Sequence, residues 1–472
     1  MGHSQIQKHR RKRKEGAFAR ACDTASDPVL YGILLLSPWF FGASSRLAAG
    51  GFACAAIIFG SLQFLRLRTS QSAPQVSKPV RVLGWLNAAL LMYVAISVAN
   101  ARAVFSYDEL AFNYRDNISW LPASYHQPAT LNRLLQLTGL TALFWGLRAW
   151  LLRASSSGEW ALNEKRLKRL MWALAINATV MTAIAFAQRG LRATEILWTF
   201  PSKWGSRVAF FGPFPYRGNA AQYFNLVWPM VLGFYLYLNR AAGPTRRDGP
   251  HLLAIPLSVV ALAGAIGSLS RGGALAAGVM ALALVVWVSW KVNWRRALAG
   301  LGAAMLVLVV GALLAGPHLL SRFRESDVTL SGRAPLYENA LKMLKDFPLF
   351  GVGQGSFGPV YYTYRESFDQ LWQAYAHNDW LEALVCTGIV GFTLQLALLT
   401  TVLYCGFRKA APSETEPLSI GIAVALLGCG LQAAFDFPFQ IYGIVLLFTA
   451  GCAILTALNF PPTGHSPRMD LK

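Results

Sequence analysis

The sequence predicts an all-helical membrane protein, a polytopic bundle of about twelve transmembrane helices with a large, partly helical outer loop between spans 9 and 10. Of the 472 residues, 54% are hydrophobic and only 14% are charged, whereas charged residues make up about a quarter of an ordinary globular domain. The hydrophobic residues form long runs, and a helix needs about 20 mostly apolar residues to cross a bilayer. A soluble enzyme or a disordered chain would need more polar surface, so both classes are excluded.

The hydrophobic runs give the positions of the predicted spans. The first run is short and contains Pro38, whereas the others are long enough to cross a membrane. Because hydrocarbon offers the backbone no hydrogen-bond partner, each run is expected to be helical. The twelve runs are 29–43, 47–65, 82–99, 131–152, 170–187, 222–238, 252–268, 274–290, 297–316, 380–405, 418–435 and 439–458.

The basic residues indicate how these spans are oriented. The basic stretch His9–Lys14 precedes the first run as in a signal peptide, but a second apolar run begins at Leu47, so an uncleaved first helix is expected. With the N-terminus inside, the inner segments hold 26 Lys and Arg in 106 residues and the outer segments hold 15 in 142. This asymmetry follows the positive-inside rule. We therefore expect both termini in the cytoplasm and assign most of the net charge of +21 to topology, with no nucleic-acid partner.

This topology divides the chain into four segments. We expect a basic cytoplasmic tail at 1–28 and an N-terminal transmembrane half at 29–251. A second transmembrane region covers 252–460 and includes the outer loop 317–379, and a short cytoplasmic tail covers 461–472. The six cysteines show neither metal-ligand spacing nor a disulfide pattern, which is typical of small buried apolar residues.

The outer loop 317–379 is long enough to carry chemistry. Apolar residues at helical spacing predict a helix over Ala334–Asp346, with Pro335 in its first turn. The glycines of Gly351–Gly358 allow a tight path close to another backbone or to a phosphate, although a plain turn explains them equally well.

Arg271 lies in a very short predicted outer loop, where an arginine has no role in positive-inside topology. Gly272 and Gly273 follow it and would leave room for an anionic ligand to approach the guanidinium group and nearby backbone N–H groups. The alternative is an arginine that extends to lipid headgroups.

His377 stands at the predicted entrance to span 10. Asn378 or Asp379 is suited to cap this helix, and Glu382 follows in its first turn. The positive end of the helix would disfavour an imidazolium, so we expect a neutral imidazole that can act as a base. An ordinary hydrogen-bonding histidine is the alternative.

Together these stretches resemble the superfamily of O-antigen ligases and O-antigen polymerases, which are bacterial membrane proteins. The resemblance covers about 252–396, a third of the chain, and the matching pieces occur in the family's order. Tyr337 stands where the family usually has tryptophan, and Cys386 stands where an acidic residue is common. The matching pieces are Leu269–Ala274, Ser331–Arg333 with Ala340–Met343, Asp346–Phe357, His377–Glu382 and Thr387–Gly391.

The resemblance implies transfer of a glycan from undecaprenyl diphosphate to an acceptor hydroxyl at the periplasmic face of the bacterial inner membrane. The acceptor would be a lipid A core sugar, a growing polysaccharide or a protein, and membrane lipids surround the enzyme. We hypothesise that His377 is the general base and that Arg271 and Arg333 bind the diphosphate, with Arg217 as a third cation. Asn378, Asp379, Glu382, Gly272 and Gly273 would support them.

Several alternatives stay open at this point. Asp108 and Glu109 are rival candidates for a base or a metal ligand, but no Asp-x-Asp pair occurs and we expect neither a metal nor another cofactor. A transporter or lipid flippase would place ionisable groups near the middle of its spans, often within repeated halves. Here the conspicuous polar residues collect at one face. A scaffold protein of envelope assembly is the third class.

Overall fold

The computed structural model describes most of the chain and is predominantly helical. Within the described residues there are thirteen α-helices and six short strands. Hairpin β1–β2 joins α3 to α4, β3–β4 joins α4 to α5, and β5–β6 follows α5; all three are antiparallel. The described residues are 17–69, 76–154, 160–202, 209–242, 248–291, 302, 326–366, 374–407 and 414–460.

Turns, short strands and loops connect the helices along the chain. A π-helical turn at Gly32–Leu36 and a 3-10 turn at Phe41–Ala43 follow the first helix. The strands are β1 Ala103–Ser106, β2 Ala111–Tyr114, β3 Leu152–Ala154, β4 Trp160–Leu162, β5 Glu195–Ile196 and β6 Phe200–Pro201. The helices are α1 Ala17–Tyr31, α2 Arg46–Thr69, α3 Lys78–Ala99, α4 Gln127–Leu151, α5 Glu164–Gly190, α6 Arg217–Ala242, α7 Ala254–Gly267, α8 Arg271–Lys291, α9 Ser326–Asp346, α10 Phe357–Tyr364, α11 Asp379–Phe407, α12 Glu416–Gln432 and α13 Tyr442–Asn459.

Seven helices of the described chain are long and apolar enough to cross a membrane, so this is a multi-pass membrane protein. The predicted run 297–316 lies outside the described residues apart from residue 302, and the count of twelve spans stays a prediction. Helix α1 begins at Ala17, inside the predicted tail 1–28. The seven helices are Arg46–Thr69, Lys78–Ala99, Glu164–Gly190, Pro250–Gly267, Arg271–Ser289, Asp379–Phe407 and Tyr442–Asn459.

Helix α6 occupies the centre of the bundle. Every residue from Gly218 to Val231 is buried, and the helix packs along α7 and α12. At Gly233 a Cβ atom would lie 3.0 Å from the Cα of Gly421, so the backbones of α6 and α12 approach closely. Because α6 is enclosed by protein, its first turns carry polar side chains that would be costly in contact with lipid.

Polar contacts fasten the end of the bundle where α4 and α13 finish. The Arg148 guanidinium donates to the carbonyl oxygens of Thr456, at 2.6 Å, and Phe460. Asp23 of α1 forms ion pairs with Arg66 of α2 and Arg166 of α5. The Thr456 carbonyl also accepts from the Phe460 N–H at 3.1 Å, so Arg148 is a second donor at the end of α13. The opposite end, where α4 and α13 begin, carries the candidate site.

An outer layer of α9 and α10 covers the beginning of α11. Leu336, Ala340 and Met343 of α9 are buried in a small core with Phe357 of α10. Helix α9 begins well before the predicted start at 334, so Pro335 lies inside it and not in its first turn. An interior proline removes one backbone hydrogen bond, and burial of these apolar side chains offsets that loss.

The glycine turn after α9 packs against a break in α11. Gly388 has φ 57° and ψ −172°, which interrupts the helix. The backbone N–H of Ile389 donates to the carbonyl of Pro348 at 2.9 Å, and that of Gly353 donates to the carbonyl of Cys386 at 2.9 Å. At Gly351 a Cβ atom would lie 2.5 Å from the Val385 carbonyl oxygen. The glycines therefore allow close approach to another backbone, which is the first of the two uses that the sequence suggested.

Candidate functional site

Three predicted arginines converge on one tyrosine. Tyr216 is half-buried just before α6, and Arg217, Arg271 and Arg333 all lie close enough to lower its pKa. Burial and the carboxylate of Asp436 outweigh them, so the pKa of the Tyr216 hydroxyl is raised. We call Arg217, Arg271 and Arg333 the arginine cluster.

Each arginine comes from a different element. Arg217 and Arg271 are the first residues of α6 and α8, and Arg333 belongs to α9. The Arg333 Nη1 donates to the carbonyl oxygen of Phe435 at 2.9 Å, which ties the outer layer to the loop after α12. Helix beginnings present backbone N–H groups as well as side chains, so this arrangement is suited to anions.

Asp436 is the carboxylate of this site, and the sequence-based reasoning missed it in favour of Asp379 and Glu382. Its side chain is buried, and Oδ1 accepts a hydrogen bond from the Phe437 N–H at 3.0 Å. Burial raises its pKa to about 7, while that N–H group, Arg333 and Arg217 oppose the shift. Asp436 is an acidic residue between two strongly apolar runs, and that signal could have identified it.

His377 lies beside the cluster in a strained backbone conformation. Its φ is 52°, in the left-handed region, and its carbonyl accepts a hydrogen bond from the Tyr337 hydroxyl at 3.3 Å. Within the described residues its buried Nδ1 has no hydrogen-bond partner. Burial lowers the pKa of His377 to about 4, with a further contribution from Arg333. The imidazole is thus neutral, for reasons other than the helix terminus that the sequence suggested.

Three aromatic rings connect His377 to its surroundings. Phe437 stacks with Tyr216 at a centroid distance of 5.3 Å and with Tyr375 at 5.0 Å. The His377 ring meets Phe437 edge to face at 4.8 Å. We call Tyr216, Phe437 and Tyr375 the aromatic trio. Its stacking fixes the position of the His377 ring relative to the arginine cluster.

The residues that follow His377 hold the start of α11. The Asn378 side chain caps the helix by accepting a hydrogen bond from the Leu381 N–H at 3.1 Å. Asp379 accepts from the Phe439 N–H at 2.7 Å and from the Gln440 amide at 3.1 Å. Glu382 accepts from the Ala376 N–H at 2.8 Å. These contacts of Asp379 and Glu382 fix the chain on both sides of His377.

The two glycines after Arg271 pack closely against neighbouring elements. A Cβ atom on Gly272 would lie 2.5 Å from the Phe435 ring, and one on Gly273 would lie 2.3 Å from the Cβ of Ala221. The space is therefore filled by the loop after α12 and by α6. Close helix packing therefore explains why both positions lack a side chain, and their predicted role beside an anionic ligand stays a prediction.

The rival carboxylates lie elsewhere. Asp108 and Glu109 are exposed in the turn between β1 and β2. Over the described ranges, no group of three or more His, Cys, Asp or Glu side chains is arranged to hold a metal ion. Tryptophans also occur in the predicted outer segments. Trp198 is exposed, while Trp204 and Trp372 lie outside the described residues.

The region from α7 to the middle of α11 matches a known family. Residues 256–396 match the O-antigen ligase family model. This confirms the resemblance over the part of the chain that contains Arg271, Arg333 and His377. Arg217 and Asp436 come from outside the matched range and reach the same site through the fold.

The chain is also similar to the exopolysaccharide production protein ExoQ of Rhizobium meliloti (strain 1021). The two are 25% identical over 138 residues, which is 26% of this chain and 31% of that relative. The chain thus matches about a third of the relative's length. The similarity supports a membrane protein of the O-antigen ligase and exopolysaccharide superfamily.

Proposed function

We propose that the protein is an O-antigen ligase-like glycosyltransferase. It moves a glycan from undecaprenyl diphosphate to an acceptor hydroxyl at the periplasmic face of the inner membrane, with both termini in the cytoplasm. The observation that carries this proposal is the convergence of Arg217, Arg271 and Arg333 beside a neutral His377. The family match over 256–396 supports it.

The arginine cluster binds the diphosphate of the donor. A guanidinium group donates two parallel hydrogen bonds to phosphate oxygens, and its charge does not depend on pH in the physiological range. Fixed cations at the leaving group stabilise the negative charge that develops there in the transition state. The beginnings of α6 and α8 reinforce this effect.

His377 accepts the proton of the acceptor hydroxyl. The acceptor oxygen forms a bond to the anomeric carbon as the carbon–oxygen bond to the diphosphate breaks, and that electron pair leaves with the diphosphate. A pKa of about 4 makes the free imidazole a weak base. A bound diphosphate cancels the influence of Arg333 and so raises this pKa. Ionised Asp436 lies close enough to Arg333 and Arg217 to hold their charges in place for the diphosphate, which makes it a positioning residue.

The identity of the acceptor separates three versions of the proposal. A lipid A core acceptor makes the protein a ligase, and the end of a growing polysaccharide makes it a polymerase. The name of the relative from Rhizobium meliloti, an exopolysaccharide production protein, favours the second version. A protein acceptor, through serine or threonine, is the third. Mass spectrometry of the lipopolysaccharide, free polysaccharide and glycoproteins of a deletion strain distinguishes them.

The test of the site uses Arg333→Gln in purified protein reconstituted with a lipid-diphosphate glycan donor. We expect glycan transfer to fall by about 10²–10³-fold, as when one preorganised donor to a developing oxyanion is removed. Lys345→Gln removes an exposed cation from the same helix, and this control should keep its activity.

Two results would overturn the proposal. One is transfer by Arg333→Gln at the rate of Lys345→Gln. The other is uptake of the donor into liposomes without any glycosylated product, which would identify a transporter.

A further inference from the structure

Two cavities meet on the side of the aromatic trio that faces away from α6. The larger has a volume of about 320 Å³ and lies between α3, α4, α11 and α13. The smaller, about 160 Å³, lies between the beginnings of α2 and α4 and the outer layer. Both are lined by Arg133, Gln136, Glu382 and Gln440, so they adjoin at these side chains. We call them the cavity pair.

The larger cavity has the character of a hydrocarbon site. The surface of its walls is mostly apolar, and Leu is the commonest residue there. Polar side chains in these walls satisfy one another, because Thr141 donates to Asn87 at 2.8 Å and Gln395 donates to Thr387 at 3.1 Å. A volume of this size is in the range of ligand pockets.

The smaller cavity is polar and contains two arginines. Arg133 of α4 donates to the amide oxygens of Gln136, at 2.9 Å, and Gln440. In the described chain these neutral acceptors are its hydrogen-bond partners. Arg46, the first residue of α2, lines the same cavity and is exposed. A guanidinium group inside a membrane protein is costly and usually marks a functional site.

The nearby carboxylates are held by protein donors. Glu382 accepts from the backbone of Ala376, and Asp379 accepts from Phe439 and Gln440. Glu382 also lies close enough to Arg133 for their charges to interact. The two arginines outnumber this carboxylate in the smaller cavity, which is therefore suited to an added anion, with an apolar cavity directly behind Arg133.

The cavity pair is close to His377. Tyr375 lines the smaller cavity, and it stacks on Phe437, whose ring contacts the ring of His377. A head group in the smaller cavity would lie next to Tyr375 of the aromatic trio. The arginine cluster lies near Tyr216, another member of the same trio.

We propose that the cavity pair is a second binding site, for a single-chain amphiphile with a phosphate-bearing head. The hydrocarbon chain occupies the larger cavity, and the phosphate binds Arg133 and Arg46. In the transfer reaction this amphiphile is the acceptor, and this acceptor role rests on the proposed function. Donor and acceptor thus approach His377 from different sides.

The experiment measures lipid binding by native mass spectrometry of the purified full chain, with undecaprenyl phosphate as the probe. The unaltered protein should bind two molecules. Leu140→Trp fills the larger cavity, and Arg133→Gln removes a charge from the smaller one. Each variant should weaken binding at one of the two sites by about 10–100-fold. For Arg133→Gln this is the effect of losing a contact with a charged group. Leu131→Trp places the same side chain on an exposed position of α4 and should bind as the unaltered protein does.

The outcomes separate this inference from the proposed function, because binding is measured without transfer. Arg271→Gln should weaken the other site and leave the cavity pair occupied. Suppose that Arg271→Gln weakens neither site while Leu140→Trp binds one lipid molecule fewer. The arginine cluster then does not bind the diphosphate, and the inference of a lipid site in the cavity pair is kept. Two bound molecules in both Leu140→Trp and Arg133→Gln would overturn the inference. The inference would also be overturned if a bilayer phospholipid occupied the cavity pair and undecaprenyl phosphate did not displace it.

Discussion

The arginine cluster and the cavity pair lie at the same end of the bundle but are built differently. The cluster collects three cations from the beginnings of α6 and α8 and from α9, around a buried carboxylate. The cavity pair has arginine side chains at its polar end, and the sides of helices line its apolar part. Helix ends and loops bring charges together from several directions, which suits a compact anion. Helix sides provide a long apolar surface, which suits a chain.

His377 lies where the two regions meet, so its loss has the largest expected effect. His377→Gln should reduce glycan transfer by about 10²–10⁴-fold, the usual contribution of a general base. Lipid binding at both regions should be unchanged, since the histidine contributes no charge near neutral pH. Rates are measured on reconstituted protein, with His251→Gln as the control.

His251 suits this purpose because it lies before α7, among residues that form no part of the cluster or the cavity pair. Transfer by His377→Gln at the rate of the control would refute the assignment of the base.

Asp436 provides a pH test of the cluster. Because its pKa is about 7, the carboxylate is ionised above that pH and protonated below it. If the anion holds Arg333 and Arg217 in place for the diphosphate, kcat/KM rises with pH through about 7, and a second decline occurs below about 4, where His377 is protonated.

Asp436→Asn should abolish the rise near pH 7 and lower the rate above about pH 8 by about tenfold, the effect of losing one contact between charged groups. The lipid occupancy of the cavity pair should not change. A profile that keeps its rise near pH 7 in this variant would assign that step to another group.

Much of the bundle follows from hydrophobicity, because a membrane helix must be apolar over its whole length. Helices α4 and α6 fit this pattern less well, and each carries polar side chains to this end of the bundle, Arg133 and Arg217 among them. Arg217, Arg271, Arg333 and His377 were predictable because they stand at loops or boundaries, where an isolated charged group is conspicuous.

Other features depend on contacts between distant parts of the chain. Asp436 acquires its role from Arg217 and Arg333, which lie far away in sequence, and Arg133 looked like an ordinary residue of a span. The glycines after Arg271 showed that a side chain is absent but not what fills the space. Close packing and ligand binding leave the same pattern in a sequence, so only the fold distinguishes them.

The smallest expected effect concerns the break in α11, next to Thr387 and Cys386 of the larger cavity. A Cβ atom on Gly388 would lie 2.3 Å from the backbone of Leu349, and its φ of 57° disfavours any side chain. Gly388→Ala should therefore destabilise the protein by about 1–3 kcal/mol through backbone strain. Gly278→Ala, in the open on α8, should be neutral or stabilising by up to about 1 kcal/mol. Thermal unfolding in detergent measures both.

The strain at Gly388 acts on the wall of the larger cavity. Gly388→Ala should therefore weaken lipid binding in the cavity pair more than lipid binding at the arginine cluster. A larger loss at the arginine cluster would show that the break in α11 supports the cluster instead.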